Sequence, residues 1–261
     1  MPVMNPVQAR EFFHLVFLRA LARSIPPSTF ALKGGANLRF FFGSIRYSED
    51  MDIDVCGIAV HTLREKVMNV LGSSGLLDTL RTSGIEDLRL PDMARAKQTE
   101  TVQRFKIGLL TAAGEDLATK VEFSRRGMDE RIRAEPVSPE VLASYRMPPM
   151  IIPHYVARTA ALQKVRALAS RARPQARDVF DLYLLSSQPE ILEAELGQEL
   201  SANAVRRARE TIYSVAYQQY RDTVLDFLRA EDRTAYDSPE IWDEIRLRAL
   251  AVIGEGVLDD E

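Results

Sequence analysis

Apolar positions over residues 7–24 are interrupted at Glu11, His14 and Arg19, the pattern of an amphipathic helix, and Pro26 and Pro27 end it. Such a helix is expected to lie on a sheet. The period then changes. Phe30, Ala31 and Leu32 form a short apolar run ending at Lys33, Gly34 and Gly35, and residues 36–42 resume as a helix. From Asp50 to Val55 carboxylates and apolar residues alternate strictly, which predicts a half-buried strand with Asp50, Asp52 and Asp54 on one face. Residues 61–73 read as a helix bounded by Gly72 and Gly75. Residues 101–110 and 117–124 read as two strands turning at Ala113 and Gly114. Five prolines fall in residues 127–153, with short helical pieces between them, and mark a domain boundary. Beyond it the pattern is helical over 154–173, 174–187, 191–199, 202–228 and 239–254. The expected division is therefore residues 1–146 and residues 147–261.

Composition changes this picture little. Hydrophobic residues at 46% and charged residues at 27% are ordinary for a globular protein. No apolar run approaches the roughly 20 residues that span a bilayer, and residues 7–24 do not read as a signal peptide, so a cytoplasmic protein with no membrane contact is expected. Cys56 is the only cysteine, which excludes an internal disulfide and a thiolate zinc cluster. It is expected to pack as a small apolar residue. The net charge of −3 argues for no particular partner, but residues 125–177 hold eleven basic residues against four acidic ones. Such a band suits a polyphosphate or an RNA backbone, or is a set of solvated helix faces.

The chemistry concentrates in residues 30–55. Three anions on one strand face repel each other, and a divalent cation would relieve them. The glycine pair opening a helix offers free N–H groups to a phosphate, although taken alone it reads as an ordinary turn, and only with the paired acids does it favour chemistry. Glu122, between apolar Val121 and Phe123, shares a face with Lys120 and is either a further metal ligand or that lysine's surface partner. Farther on, Lys164, Leu168 and Arg171 fall on one helical stripe. Asp178 and Asp181 share a face, while Val179, Phe180, Leu182 and Leu185 face the core. Arg177 and Asp181, four apart, would make a structural ion pair. His14, His61 and His154 lack ligand spacing. Tyr213, Tyr217, Tyr220 and Trp242 read as a packing or partner-facing stripe.

Leu32-Lys33-Gly34-Gly35 with Leu38, followed by Arg46, Ser48, Asp50 and Asp52 at alternate positions, resembles the AbiEii/AbiGii family of nucleotidyltransferase toxins. So does the later block of Lys164, Arg171, Arg177, Asp178 and Asp181. The resemblance runs over residues 32–185. It implies an α/β (α+β) fold: a nucleotidyltransferase-type mixed sheet with flanking helices, followed by an all-helical C-terminal domain, with substrate in a cleft between them. It further implies Mg²⁺ or Mn²⁺ on Asp50, Asp52 and Glu122, and an NTP on Gly34, Gly35, Ser48, Lys164 and Arg171. Asp178 would join Asp50, Asp52 and Glu122 in catalysis. A type IV toxin–antitoxin or abortive-infection role would follow, with a separately encoded antitoxin and an RNA acceptor such as the tRNA 3′ end. A protein acceptor, or a nucleotide-binding module without transfer, are the alternatives.

Overall fold

A computed structural model describes residues 4–128, 131–192 and 196–254. The chain divides into two compact units, Met1–Phe41 with Tyr47–Tyr155, and Phe42–Arg46 with Val156–Glu261.

The first unit begins with α1 (Pro6–Ser24), fixed at its start by a reciprocal cap. The Asn5 side chain accepts from the Gln8 amide while the Gln8 side chain accepts from the Asn5 amide. There follow β1 (Phe30–Lys33), α2 (Gly34–Phe41), β2 (Met51–Val55), α3 (Val60–Leu71), α4 (Ser74–Arg81), β3 (Ile85–Arg89), β4 (Val102–Thr111), β5 (Asp116–Ser124), β6 (Ile132–Pro136), α5 (Pro139–Ser144) and β7 (Ile151–Tyr155). The seven strands form one mixed sheet in the order β3-β4-β5-β2-β1-β7-β6. β2 is antiparallel to β1 and parallel to β5, while β1 is parallel to β7. Alternation along these strands sends Phe30, Leu32, Met51, Ile53, Val55, Phe105, Val121 and Phe123 to one face. There they are buried in a single core with Phe12, Phe13, Leu15, Phe17 and Leu18 of α1. The other face is left for polar residues.

Three features of this unit depart from expectation. α4 and β3 had no counterpart: α4 is only eight residues long with Gly75 inside it, and Glu86, Asp87 and Arg89 interrupt the apolar rhythm of β3. The proline-spaced stretch 127–153 supplies two strands and a helix to the unit, because Pro136 and Pro153 sit in the pair at the sheet's edge. Cys56 is exposed. It lies one step past β2 on the alternation that carries Asp52 and Asp54, away from the apolar face.

The second unit comprises α6 (Ala157–Ser170), α7 (Ala176–Leu185), α8 (Pro189–Leu192), α9 (Ala202–Ser214), α10 (Tyr217–Thr223), α11 (Ala230–Tyr236) and α12 (Pro239–Ile253). Of the helix expected over 191–199, residues 193–195 lie outside the described residues. The single helix expected over 202–228 breaks at Val215, whose backbone is extended. Its carbonyl accepts from Trp242 Nε1 at 3.1 Å, a bond that a carbonyl engaged within a helix is poorly placed to make. Trp242 and Tyr220 are buried and stacked 4.4 Å apart, whereas Tyr213 is exposed. Among the described residues no helix is long and apolar enough to cross a membrane.

Candidate active site

The polar face of the sheet is organised in registered rows. Lys33 of β1 stands opposite Asp52 of β2, Asp52 opposite Glu122 of β5, and Glu122 opposite Arg104 of β4. In the next row Lys120 stands opposite Lys106, and Asp50 precedes β2 beside Lys120. The sheet therefore brings Asp50, Asp52 and Glu122 to one face together with four bases. Ser48 fixes the entry to β2 by donating its hydroxyl to the Asp50 carbonyl at 2.7 Å.

Gly34 and Gly35 form the first residues of α2, at the end of β1 beside Asp52. Gly34 has φ of +69°, a conformation that glycine adopts freely, and a Cβ there would stand 2.9 Å from Asp52 Oδ2. Both the turn and its closeness to the carboxylate thus require glycine. α2 is held from behind. Arg39 donates to buried Glu11 of α1 at 2.7 Å, and Asn37 Nδ2 donates to the Tyr155 carbonyl at 2.9 Å.

The three alternating aspartates have different surroundings. Asp54 is buried, accepting from Lys33 Nζ at 2.5 Å and from the Tyr155 hydroxyl at 2.8 Å, and so is structural. Asp50 pairs with Lys120 at 2.7 Å. Asp52 has no hydrogen bond or ion pair among the described residues. Burial raises its pKa, with Glu122 and Asp50 adding to the effect against the opposing charges of Lys33 and Lys120. Glu122 pairs with Arg104 at 2.7 Å rather than with Lys120.

An all-oxygen donor set suits a hard divalent cation, and Asp52, desolvated and without a partner, gains most from one. Asp50 and Asp52 together fit that role. Among the described residues no three acidic, histidine or cysteine side chains form a metal-binding group. Glu122 joins the pair only by exchanging Arg104.

The second unit holds its own charged cluster. Arg46 forks onto Asp181 at 2.9 and 3.0 Å, and Lys164 contacts Asp181 at 2.6 Å and Asp178 at 3.0 Å. Asp178 and Asp181, expected to share an outward face, are 1% and 0% exposed. Asp181 is satisfied by Arg46 and Lys164, which leaves no role for the Arg177 pairing. Burial alone would lower the Lys164 pKa, but Asp181 and Asp178 outweigh it and raise it. Asp178 Oδ2 is buried without a hydrogen bond, and Arg171 Nε stands 3.3 Å from it. Within the basic band, then, Lys164 and Arg171 are engaged, Arg158 pairs with Glu199, and Arg125 donates to Gln103 Oε1 and to the Ile58 carbonyl.

Sequence reasoning passed over Arg104 and over Lys120 as a partner of Asp50, and it placed Arg46 in the motif without its pairing to Asp181. A signal existed for Arg104 and Lys106, since strand alternation puts them on one face.

A comparison with curated proteins found no match. Solved structures similar to this chain include a putative nucleotidyltransferase from Helicobacter pylori, with a TM-score of 0.56 and 19% identity over 94% of this chain and 93% of that one. JHP933 from H. pylori gives 0.55 and 17% over 96% and 91%. MenT4, a nucleotidyltransferase toxin from Mycobacterium tuberculosis H37Rv, gives 0.56 and 17% over 95% and 83%. At these identities the likeness establishes the fold. The model for the nucleotidyl transferase AbiEii toxin of type IV toxin–antitoxin systems matches residues 16–246, so the chain belongs to the AbiEii family of nucleotidyltransferase toxins.

Proposed function

We propose that this nucleotidyltransferase moves a nucleotidyl group from an NTP to the 3′ end of an RNA, with tRNA as the foremost candidate. Asp50 and Asp52 would hold Mg²⁺ or Mn²⁺, with Glu122 completing the set. The observation that carries the reading is Asp52: a partly buried carboxylate with no partner, against a turn where only glycine fits. When bound, the cation supplies charge neutralisation at the reacting phosphate. The N–H groups at the start of α2 receive the triphosphate oxygens. The acceptor oxygen attacks the α-phosphorus, the bond from that phosphorus to the α–β bridging oxygen breaks, and pyrophosphate leaves. Glu122, released from Arg104, takes the hydroxyl proton. Lys164, Arg171 and Asp178 are assigned to the nucleotide and to proton transfer on the family resemblance. A separately encoded antitoxin would restrain the activity, and its need for NTP and tRNA fits a cytoplasmic setting.

The test is Asp52→Asn, followed by pyrophosphate release with Mg²⁺ and each NTP, and by transfer of label into total RNA and total protein. Release is expected to stop while the variant stays at least as stable as the wild type, because the charge removed is one that burial disfavours. Wild-type release by Asp52→Asn would refute the site. Label confined to protein would refute the RNA acceptor alone.

A further inference from the structure

The polar face of the sheet continues past the carboxylates into a pocket of about 700 Å³. Its floor is β4 and β5, and its wall is the segment that follows β3. Six basic side chains line it, Arg89, Arg95, Lys97, Arg104, Lys106 and Lys120, against Glu49, Asp50 and Asp92. Arg104 and Lys120 neutralise Glu122 and Asp50, and Arg89 and Arg95 pair with Asp116 and Asp92. Lys97 and Lys106 are exposed and have no acidic partner among the described residues. Gly108 leaves room for the Arg89–Asp116 pair, since a Cβ there would collide with the Asp116 carboxylate and crowd the Arg89 guanidinium. Leu90, 43% exposed, adds an apolar edge among the charges, next to buried Pro91.

Strand order fixes what this pocket can serve. The glycine turn lies at the end of β1, Asp52 on β2, Glu122 on β5 and Arg104 on β4, so the turn and the pocket flank the carboxylates on opposite sides. In an in-line displacement the attacking oxygen and the departing pyrophosphate lie on opposite sides of the phosphorus. With the triphosphate tail at the glycine turn, the acceptor must arrive from β5 and β4. We infer that the pocket between β4, β5 and the segment after β3 holds the phosphates of a single-stranded RNA 3′ end, with Lys97 and Lys106 contacting them and Leu90 against a sugar or base. This rests on the RNA-acceptor reading above. RNA is favoured over a polypeptide because a protein hydroxyl brings no charge that would call for unpaired lysines.

The experiment measures binding of a short fluorescein-labelled single-stranded RNA by anisotropy across a salt series. It uses wild type, Lys97→Ala/Lys106→Ala, and a control of equal charge loss, Arg23→Ala/Lys66→Ala, in the separate groove beside α1 and α3. Each phosphate contact contributes about 0.7 to the log–log salt slope, so the pocket variant's slope should be smaller by about 1.4. Between about 50 and 200 mM salt the wild type would then lose about sevenfold more affinity than the variant. The control should follow the wild type, and NTP affinity should be equal in all three. A pocket variant that binds RNA with the wild-type slope overturns the location, while label transfer into RNA by the wild type would still support the RNA acceptor. Binding of a glutamate-rich peptide as tight as RNA, with the same loss in the pocket variant, would make the site one for an acidic protein and overturn the proposal. Label found only in protein overturns both readings.

Discussion

Replacing Lys164 with Met keeps most of the side chain's length and apolar stem and deletes its charge. Asp181 keeps Arg46, with contacts at 2.9 and 3.0 Å. Asp178 loses its 3.0 Å partner and retains Arg171, whose side chain is 40% exposed. Removing one member of a buried charged pair costs about 3–5 kcal/mol, and the remaining arginines place this case near 3 kcal/mol. Trp242 is the chain's only tryptophan and is buried in the same unit, so its fluorescence during urea denaturation follows that unit. The midpoint should fall, and Lys164→Met/Asp178→Asn should recover most of the loss. The pH profile separates the two ends of the network. Burial alone would raise the Asp181 pKa, but Arg46 and then Lys164 outweigh it and hold it below the ordinary 3.8. That contribution is in place above pH 3.8 and is lost as pH falls through the folded value. Lys164 is raised above 10.5, so its contribution is in place below pH 10.5 and is lost as pH rises through the folded value. Lys164→Met should abolish the alkaline loss specifically. An unchanged midpoint accompanied by weakened NTP binding would refute the structural role and leave Lys164 as a nucleotide contact.

Two further outcomes concern the first unit. Gly34→Ala places a side chain at φ of +69° and 2.9 Å from Asp52 Oδ2, so it should cost about 1–2 kcal/mol of stability and cut pyrophosphate release more than tenfold; a fully active variant would show the turn to be incidental. His14 is buried against the Thr119 hydroxyl at 2.9 Å, and burial lowers its pKa from 6.5 to about 4. It folds neutral, so stability is full above pH 6.5 and declines by about 3 kcal/mol as pH drops towards 4. His14→Gln should flatten that decline in a thermal-melt series, and an unaltered acid slope would assign it to other groups.

The glycine turn, the acidic strand, the β4–β5 hairpin and the helical second unit were legible because each is set by local period and turn chemistry. α4 and β3 were not, since an eight-residue helix and a strand rich in charges carry too little periodic signal. The tyrosine pattern over 202–228 looked continuous because the break at Val215 is enforced from a distance by the Trp242 indole. The same distinction governs the charges. Asp178 and Asp181 look like exposed helix positions until Arg46, 135 residues from Asp181 in sequence, is seen to fork onto the latter.

Asp50, Asp52 and Asp54 make the sharpest case, because alternation gives them identical status and only their neighbours tell them apart. Tyr155 and Lys33 close around Asp54, and Lys120 neutralises Asp50. Asp52 alone is opposed by burial without a hydrogen bond or ion pair among the described residues, Lys33 and Lys120 only partly countering the penalty by their charge. A fold selected for stability alone would have neutralised that position, by replacement with Asn or by the lysine already two residues away on Asp54. Retaining an unpaired carboxylate beside Gly34 destabilises the unit, and under the proposed function a bound cation with a triphosphate on the α2 amides would reverse that penalty. The proposed site would therefore couple substrate binding to stability at Asp52: Mg²⁺ and NTP together should raise the melting temperature of the wild type and leave that of Asp52→Asn unmoved.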